Sequence, residues 1–379
     1  MSATIQIDCD FPGGNIIVDG VDGQHVRVRQ DQRDTERPWF YWHFRVRGAE
    51  GQTLTFTFTQ QQVIGASGPG ISRDGGWTWS YAGAESVQGK SFSYAFEPDD
   101  SEVHFSFGMP YTQRHLHRFL EKYVGNASLI CERLCTSRGG RPVEMLRAGR
   151  TDGSAEHKVV LAARHHCCEM MANYEIEGVL QRILAPDMEG VWWRDHVEWL
   201  VIPFTDKDGV EQGDQGKGRL PRDHGRDYLG ESIYTETAAI RERVPSWGNG
   251  RIRLALDLHC PHIRGNYNET IYFVGTKDED DWRRTTEFAA IMESCCTGPL
   301  PYKASNNLPF GVAWNTAANY EGGKGFKRWA AEQDGIALAA SIEFPYANVG
   351  GVQVTADGAR AFGRDLAAAI RQHLMVHNT

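Results

Sequence analysis

The stretch KVVLAARHHCCE, residues 158–169, decides the fold. It opens with an apolar run of the length typical of a buried strand, and polar side chains follow where the run stops. His166 and Glu169 stand three residues apart, so on the first turn of a helix they would share one face and could grip one ion. The stretch therefore predicts a buried strand that delivers metal ligands at its end.

Two further apolar runs carry polar residues of the same kinds. RIRLALDLHCP, residues 251–261, brings His259 to the end of a predicted strand, and AASIEFPY, residues 339–346, carries the single carboxylate of Glu343. Imidazole nitrogen and carboxylate oxygen both suit Zn²⁺, and an open catalytic zinc site has three protein ligands. His259 would complete such a set with the His and Glu of the first stretch, so we predict one zinc ion per chain.

Each of these side chains also has a simpler interpretation. A His-x-x-Glu pair is common on protein surfaces, and His165 competes with His166, although its partner three residues on is Cys168. Glu343 is either an edge-strand residue that faces water or a general base that takes a proton from water and passes it to a leaving amine. A buried lone carboxylate is costly unless it is paired or protonated.

Composition and charge limit the classes of function. The chain has 379 residues, 41% of them hydrophobic, which suffices for two domains or for one large α/β domain with an appendage. Its formal net charge of -9 argues against a general nucleic-acid binder, which needs a basic face. No apolar run approaches the ~20 residues that cross a bilayer, and the first residues lack the pattern of a secretory signal. We therefore expect a cytoplasmic protein without nucleic-acid or membrane partners.

The eight cysteines indicate buried thiols of a reducing compartment rather than a disulfide framework. Cys131 and Cys135 would make half of a metal site at most, because no second pair lies at zinc-ribbon spacing.

The pattern of the chain changes near Pro110. Residues 1–112 contain short segments of alternating apolar and polar side chains, separated by Gly, Asp and Pro, which predicts an all-β sandwich domain. Residues 113–379 alternate strand-like and helix-like segments, which predicts an α/β domain with helices on both faces of its sheet. In such sheets, active-site residues collect in loops beyond the strand ends.

Three motifs, in this order along the chain, resemble those of the carboxypeptidase A/B family of zinc peptidases. They are Arg-x-His-x-x-Glu, Asp-Leu-His and a late glutamate on a strand, present here as Arg164, His166, Glu169, Asp257, Leu258, His259 and Glu343. The resemblance spans roughly residues 113–379, and the preceding stretches FYWHFRVRG and FGMPYTQRHLHRFLEKY are similar to the N-terminal domain of cytosolic carboxypeptidases. It implies a mixed-sheet zinc carboxypeptidase fold, with the two histidines and Glu169 on zinc and Glu343 as general base.

The resemblance also implies residues that recognise the substrate. The family holds the free α-carboxylate with an Asn-Arg pair and binds the scissile carbonyl with another Arg. In the polar loop 206–228, Arg226 stands at the position of the paired Arg, but Gly225 replaces the Asn. This departure puts strict carboxypeptidase action in question.

A second departure lies earlier in the same loop. Gly216 stands near the position of the carbonyl-binding Arg, with Lys217, Arg219 and Arg222 close by. A guanidinium can hold a carboxylate through two hydrogen bonds, so Arg226 and Arg219 are predicted to form the clamp. The alternative is that these are solvated loop charges.

NYEGGKGFKRWA, residues 319–330, resembles the family segment that covers the substrate. Tyr320 would be the covering tyrosine, and Lys327 would stand near the pocket for the C-terminal side chain. A lysine there would favour an acidic C-terminal residue by charge complementarity. A surface lysine is the alternative.

The leading hypothesis is a zinc metallocarboxypeptidase that hydrolyses a C-terminal peptide or isopeptide bond, with the C-terminus of a peptide or protein as its partner. A second hypothesis keeps the metal and changes the substrate to a non-peptide or cell-wall-derived amide, as in an amidase or deacylase. A third is a catalytically silent binding protein of the same fold. The sequence carries no prediction of oligomeric state.

Overall fold

The order of strands and helices changes character after residue 106. The computed structural model describes residues 4–377. Its strands are β1 (Gln6–Asp8), β2 (Ile17–Asp22), β3 (His25–Arg29), β4 (His43–Arg47), β5 (Thr53–Phe58), β6 (Gly70–Ser72), β7 (Ser80–Tyr81), β8 (Val87–Gln88), β9 (Ser91–Ala95), β10 (Glu102–Ser106), β11 (Leu129–Thr136), β12 (Pro142–Gly149), β13 (His157–Ala163), β14 (Val197–Ile202), β15 (Ile252–His259), β16 (Tyr272–Phe273), β17 (Leu338–Glu343), β18 (Asn348–Val349) and β19 (Val352–Gln353). Its α-helices are α1 (Gln113–Glu121), α2 (Met171–Ile183), α3 (Met188–His196), α4 (Lys207–Gln212), α5 (Thr235–Gly248), α6 (Glu279–Cys295), α7 (Phe326–Ala331) and α8 (Ala356–Val376).

None of the helices within residues 4–377 is both long and apolar enough to span a bilayer.

The first ten strands form two five-stranded sheets, in the orders β1-β4-β10-β6-β7 and β2-β3-β5-β9-β8. Along β5, Leu54, Phe56 and Phe58 are buried while the threonines between them are partly exposed, as the alternation in the sequence predicts. The Phe56 ring lies 5.2 Å from that of Phe44 on β4 and 5.3 Å from that of Phe105 on β10. Aromatic side chains thus fill the space between the two sheets of a β-sandwich.

The largest sheet has seven strands in the order β11-β12-β14-β13-β15-β17-β16. β14, β13, β15 and β17 are parallel neighbours, and the outer strands pair antiparallel. Alternate residues of β13 belong to different hydrophobic cores. Val159 and Leu161 pack in the core that includes residues of α2 and α8. Val160 and Ala162 pack in the core that includes residues of α5 and α7. The sheet is therefore mixed and has helices on both faces, which confirms the predicted fold class.

The strands that carry the candidate ligands lie side by side. β13, β15 and β17 are parallel neighbours, and their register places His259 opposite Glu343. Parallel strands end at one edge of their sheet, so the turn that follows β13 meets the last residues of β15 and β17 there. The topology thus gathers the predicted ligands at a single edge.

The β-sandwich packs directly against the end of β17. The Tyr346 ring lies 4.9 Å from that of Phe107 and 5.7 Å from that of Phe40, and its carbonyl accepts a hydrogen bond from the Tyr81 hydroxyl at 2.6 Å. The sandwich and one face of the large sheet therefore share a continuous core. The domain boundary between residues 112 and 113 stays a prediction.

Helix α2 carries a buried carboxyl group. Glu175 is fully buried on the helix that packs against α8, and neither of its carboxyl oxygens has a hydrogen-bond partner among the described residues. Burial raises the pKa of Glu175 well above its ordinary value of 4.5. The folded chain therefore keeps a proton on this side chain at pH values where the unfolded chain has released it.

Replacing this carboxyl group should make stability less dependent on pH. The pKa of Glu175 is raised in the folded state, so the folded chain binds a proton there that the unfolded chain loses above the ordinary pKa of 4.5. The free energy of unfolding is therefore undiminished below pH 4.5 and falls as the pH rises. We expect Glu175→Gln to have a higher melting temperature than wild type. The difference between the two proteins should be larger at pH 8 than at pH 5 by about 2 °C or more. Glu121→Gln on the exposed face of α1 is the matched control. An equal shift of the Glu175→Gln variant at both pH values would contradict the prediction.

Candidate metal centre

Arg164 shapes the turn that follows β13. Its φ of 62° lies in the left-handed region that non-glycine residues rarely adopt. Its buried guanidinium donates to the carbonyl oxygen of Cys167 at 2.7 Å, to that of Tyr111 at 2.9 Å and to Oδ1 of Asn173 at 2.6 Å. Asn173 lies on α2, so these contacts fix the turn against the start of that helix.

This turn brings the predicted ligands together. His166 and Glu169 precede α2, which begins at Met171, and do not lie on its first turn as the sequence predicted. Nδ1 of His166 lies 2.9 Å from Oε1 of Glu169, and Nδ1 of His259 lies 2.7 Å from Oε2 of the same carboxylate. Glu169 is buried, whereas the side chains of His166 and His259 are 15% and 11% exposed, so the group opens toward solvent.

The other ring nitrogen of each histidine faces a carboxylate. Nε2 of His259 lies 2.8 Å from Oδ2 of Asp257, and Nε2 of His166 lies 3.7 Å from Oδ1 of Asp223. Carboxylates in this position orient a ligating imidazole and leave its opposite nitrogen to the metal. One nitrogen of each histidine and one oxygen of Glu169 lie within 4.8 Å of one another, so the three side chains fit a zinc ion with an open coordination position.

His165, the competing ligand, lies behind the site. Its Nδ1 is 2.7 Å from Oδ1 of Asp257, and its Nε2 is 2.7 Å from the hydroxyl of Tyr228. With Asp257 and His259 it forms a second group of possible metal donors, but both of its nitrogens already have hydrogen-bond partners and its side chain is fully buried. We therefore assign His165 to the support of His259. Neither donor group among the described residues includes a cysteine, so the half-site of Cys131 and Cys135 finds no partners there.

Glu169 is held as an anion. Burial alone would raise its pKa, but the Lys217 ammonium and the rings of His166 and His259 hold the pKa of Glu169 well below its ordinary value. The carboxylate is thus in the form that ligates a metal.

Glu343 lies beside the ligands at the end of β17. This strand runs between β15 and β16, so Glu343 is not an edge residue, and its Oε2 is buried without a hydrogen-bond partner among the described residues. Burial raises the pKa of Glu343 from 4.5 to about 7, a shift that His259 opposes and Glu169 increases. A carboxyl group with a pKa near neutrality can both accept and release a proton.

Arg226 and Tyr320 lie against each other. The Arg226 guanidinium is 5.7 Å from the centre of the Tyr320 ring and donates to the carbonyl oxygen of Asn319 at 3.1 Å. Gly225, the residue before Arg226, has no room for a side chain in this conformation, since a Cβ there would lie 2.9 Å from Nε2 of His166. The missing Asn of the family pattern thus corresponds to close packing against a predicted ligand.

Two residues predicted to bind substrate are engaged elsewhere. Arg219 donates to Asp206 at 2.7 Å and lies 3.1 Å from Asp214 and 3.5 Å from Asp34, so carboxylates of the chain itself surround its guanidinium. Lys327 is buried, and its ammonium donates to the carbonyl oxygen of Val274 at 2.6 Å. Burial lowers the pKa of Lys327 to about 8. Both side chains are thus bound to groups of the chain itself.

Three residues at the site did not enter the predicted set. Lys217, which the sequence placed only near the carbonyl-binding position, has its ammonium 2.7 Å from Oε1 of Glu169. Asp223 and Asp257 are the carboxylates behind the histidines. An Asp two residues before His259 and another three before Arg226 were the signals in the sequence that could have identified them.

Comparison with known sequences gives distant relatives. No family model matches the chain. An uncharacterized protein of Zymomonas mobilis is 26% identical over 219 residues, which are 55% of this chain and 56% of that protein. Cytosolic carboxypeptidase 2 of Xenopus tropicalis is 25% identical over 261 residues, which are 59% of this chain and 27% of that protein. The chain thus matches between about a quarter and about half of the length of these relatives.

Solved structures match over nearly the whole chain. A metallo-carboxypeptidase from Burkholderia cenocepacia superposes with a TM-score of 0.77 at 19% identity, covering 98% of this chain and 99% of the other. A metallo-carboxypeptidase from Pseudomonas aeruginosa, solved with (2-guanidinoethylmercapto)succinic acid, gives 0.72 at 22% identity with the same coverage. Both similarities include the N-terminal sandwich as well as the large mixed sheet. The chain has the metallo-carboxypeptidase fold and is related in sequence to the cytosolic carboxypeptidases.

Proposed function

We propose that the chain is a zinc metallocarboxypeptidase that hydrolyses the C-terminal peptide or isopeptide bond of a peptide or protein in the cytoplasm. The convergence of His166, Glu169 and His259 beside the buried Glu343 carries this proposal. The similarity to cytosolic carboxypeptidases supports both the activity and the compartment.

The three ligands would hold one zinc ion, which when bound would supply a Lewis acid for water and for the scissile carbonyl. Glu343 would carry the proton. It takes one proton from the attacking water as the water oxygen forms its bond to the carbonyl carbon. As the C–N bond breaks, Glu343 gives this proton to the leaving amine and returns to the carboxylate. Its Oε2 is buried without a hydrogen-bond partner among the described residues, so it is free to carry the proton.

Arg226 would bind the free carboxylate of the substrate, with Tyr320 beside it. A guanidinium forms two charge-assisted hydrogen bonds to a carboxylate, and the described residues pair Arg226 with no carboxylate of the chain at ion-pair distance. Because Gly225 has no side-chain amide, Arg226 would act without the Asn of the family pattern. Arg219 is left out of this proposal, since it is held by acidic residues.

A preference for acidic C-terminal residues would rest on Arg328 rather than on Lys327. Arg328 is exposed, and its guanidinium lies 5.7 Å from the centre of the Tyr320 ring, the same distance as that of Arg226. Two cations flanking one tyrosine favour a substrate end with two carboxylates.

An amidase or deacylase is the second candidate function. The lack of a side chain at Gly225 favours it, because the site then offers one fewer group to a terminal carboxylate. Dependence of hydrolysis on that carboxylate separates the two functions.

The predicted ligands should determine zinc content. We expect about one zinc per chain in the purified protein, and loss of that zinc in the His166→Ala/His259→Ala double variant, measured by elemental analysis after dialysis. The exposed pair His25→Ala/His117→Ala is the matched control and should keep the metal. Zinc content that is unchanged in the first double variant would overturn the assignment of the site.

The Glu343→Gln variant should bind zinc normally and lose turnover. Glutamine keeps the size of the side chain but cannot carry the proton, so we expect kcat to fall by about 10²–10⁴-fold. Zinc content measured on the same preparation is the control. Near-normal hydrolysis would remove Glu343 from the mechanism.

Hydrolysis should depend on a free C-terminal carboxylate. We expect N-benzoylglycyl-glutamate to be cleaved at least about tenfold faster than its α-amide, and Arg226→Ala to abolish this difference, because a lost charge-assisted hydrogen bond costs that much. Arg283→Ala on the exposed face of α6 is the matched control. Equal rates on both compounds with the wild-type protein would favour the amidase.

A further inference from the structure

Lys217 extends from the loop 206–228 into the candidate metal centre. Its ammonium lies 2.7 Å from Oε1 of Glu169 and donates to the carbonyl oxygen of Cys260 at 3.0 Å. Cys260 directly follows the ligand His259. The positive charge is therefore located between the two segments that carry the predicted ligands.

The backbone explains why the side chain comes from position 217. Gly216 has a φ of 74°, and a Cβ there would lie 2.5 Å from the backbone nitrogen of Cys167 and 2.7 Å from its Sγ. No side chain can leave the loop at Gly216 in this conformation. The Gly216 N–H donates to Oδ2 of Asp34 at 2.8 Å, so a residue of the sandwich fixes the loop at this point.

Two aromatic rings of the N-terminal region flank the ammonium. The centres of the Trp39 and Phe40 rings lie 5.6 Å and 5.9 Å from Nζ of Lys217. Rings at this distance attract a cation through their faces and shield it from water. The sandwich thus takes part in placing a charge at the centre.

The neighbouring cations of this loop do not occupy that place. Arg219 is surrounded by Asp206, Asp214 and Asp34, and Arg226 lies against Tyr320. Lys217, by contrast, is in contact with Glu169. Among the loop cations that the structure describes, it is the one next to the groups that would act on water.

We propose that Lys217 is a catalytic residue that binds the scissile carbonyl oxygen and stabilises its negative charge. This inference rests on the proposed function. As the water oxygen bonds to the carbonyl carbon, the electron pair of the C=O bond moves onto oxygen, and the ammonium donates a charge-assisted hydrogen bond to it. Lys217 transfers no proton, because the proton of the water passes through Glu343 to the amine. Its flexible four-carbon stem lets the ammonium leave Glu169 for the substrate.

The test compares Lys217→Met with wild type on three measurements. We expect kcat on N-benzoylglycyl-glutamate to fall by about 10²–10³-fold. The affinity for the phosphonate analogue of this substrate, which mimics the charged tetrahedral state, should fall by a similar factor while KM changes less than about threefold. The zinc dissociation constant should stay the same or decrease, because the variant lacks a cation that competes for Glu169. Lys217→Arg should restore part of kcat, and the exposed Lys277→Met is the matched control.

A supporting role for Lys217 would give a different pattern. If the ammonium only holds Glu169 in place, Lys217→Met should bind zinc more weakly, and substrate and phosphonate should lose affinity equally; that outcome overturns the proposal. Lys217→Gln, which keeps a polar end, replaces the Met variant if the latter does not fold, with the same criteria. Wild-type protein without zinc or without hydrolysis would overturn the proposed function itself, whereas an active wild type with an equally active Lys217→Met variant overturns only the role of Lys217.

Discussion

The two oxygens of one buried carboxylate hold the site together. Oε1 of Glu169 faces His166 and Lys217, and Oε2 faces His259. A carboxylate that is removed from water is costly unless cationic groups or a metal surround it. The position of Glu169 therefore determines the position of the site. The turn between β13 and α2, which Arg164 fixes, holds Glu169 in place.

The convergence of the candidate ligands was predictable from the sequence because the signals of these residues are local. An apolar run that stops at a polar residue marks a strand end, and His166 and His259 follow such runs, while Glu343 is the one carboxylate of an otherwise apolar run. The alternation of strands and helices then implies parallel neighbours, whose ends share one edge of the sheet. The observed register of β13, β15 and β17 realises this expectation. The sequence was less informative about β11 and β12, because charged residues interrupt their apolar pattern.

The contacts of the candidate substrate residues were less predictable, because the direction of a long side chain depends on partners far away in the chain. Arg219 turns toward Asp34, which belongs to the N-terminal sandwich and has no sequence signal that links it to the loop. Lys327 turns inward to a backbone carbonyl, so the α-helix that carries it presents Arg328 to solvent instead. Spacing in the sequence predicts which residues lie near a site, but electrostatic contacts decide which of them face it.

The N-terminal sandwich supplies the contacts that the loop 206–228 requires. Backbone groups of Tyr41 form hydrogen bonds with both ends of the Gln215 side chain at 2.7 Å and 2.9 Å, and Asn15 donates to the carbonyl oxygen of Gly213 at 2.7 Å. These contacts bring the loop backbone so close to the sandwich and to the turn after β13 that a side chain at Gly213 or Gly216 would meet backbone atoms.

Packing accounts for two of the glycines of this loop. Gly213 has a φ of 75°, and a Cβ there would lie 2.4 Å from the carbonyl oxygen of Gly14. Gly216 meets the same restriction against Cys167 on its other side. Hydrogen bonds hold the loop at both points and keep its backbone fixed. A fixed backbone allows one flexible lysine to reach a defined place beside Glu169.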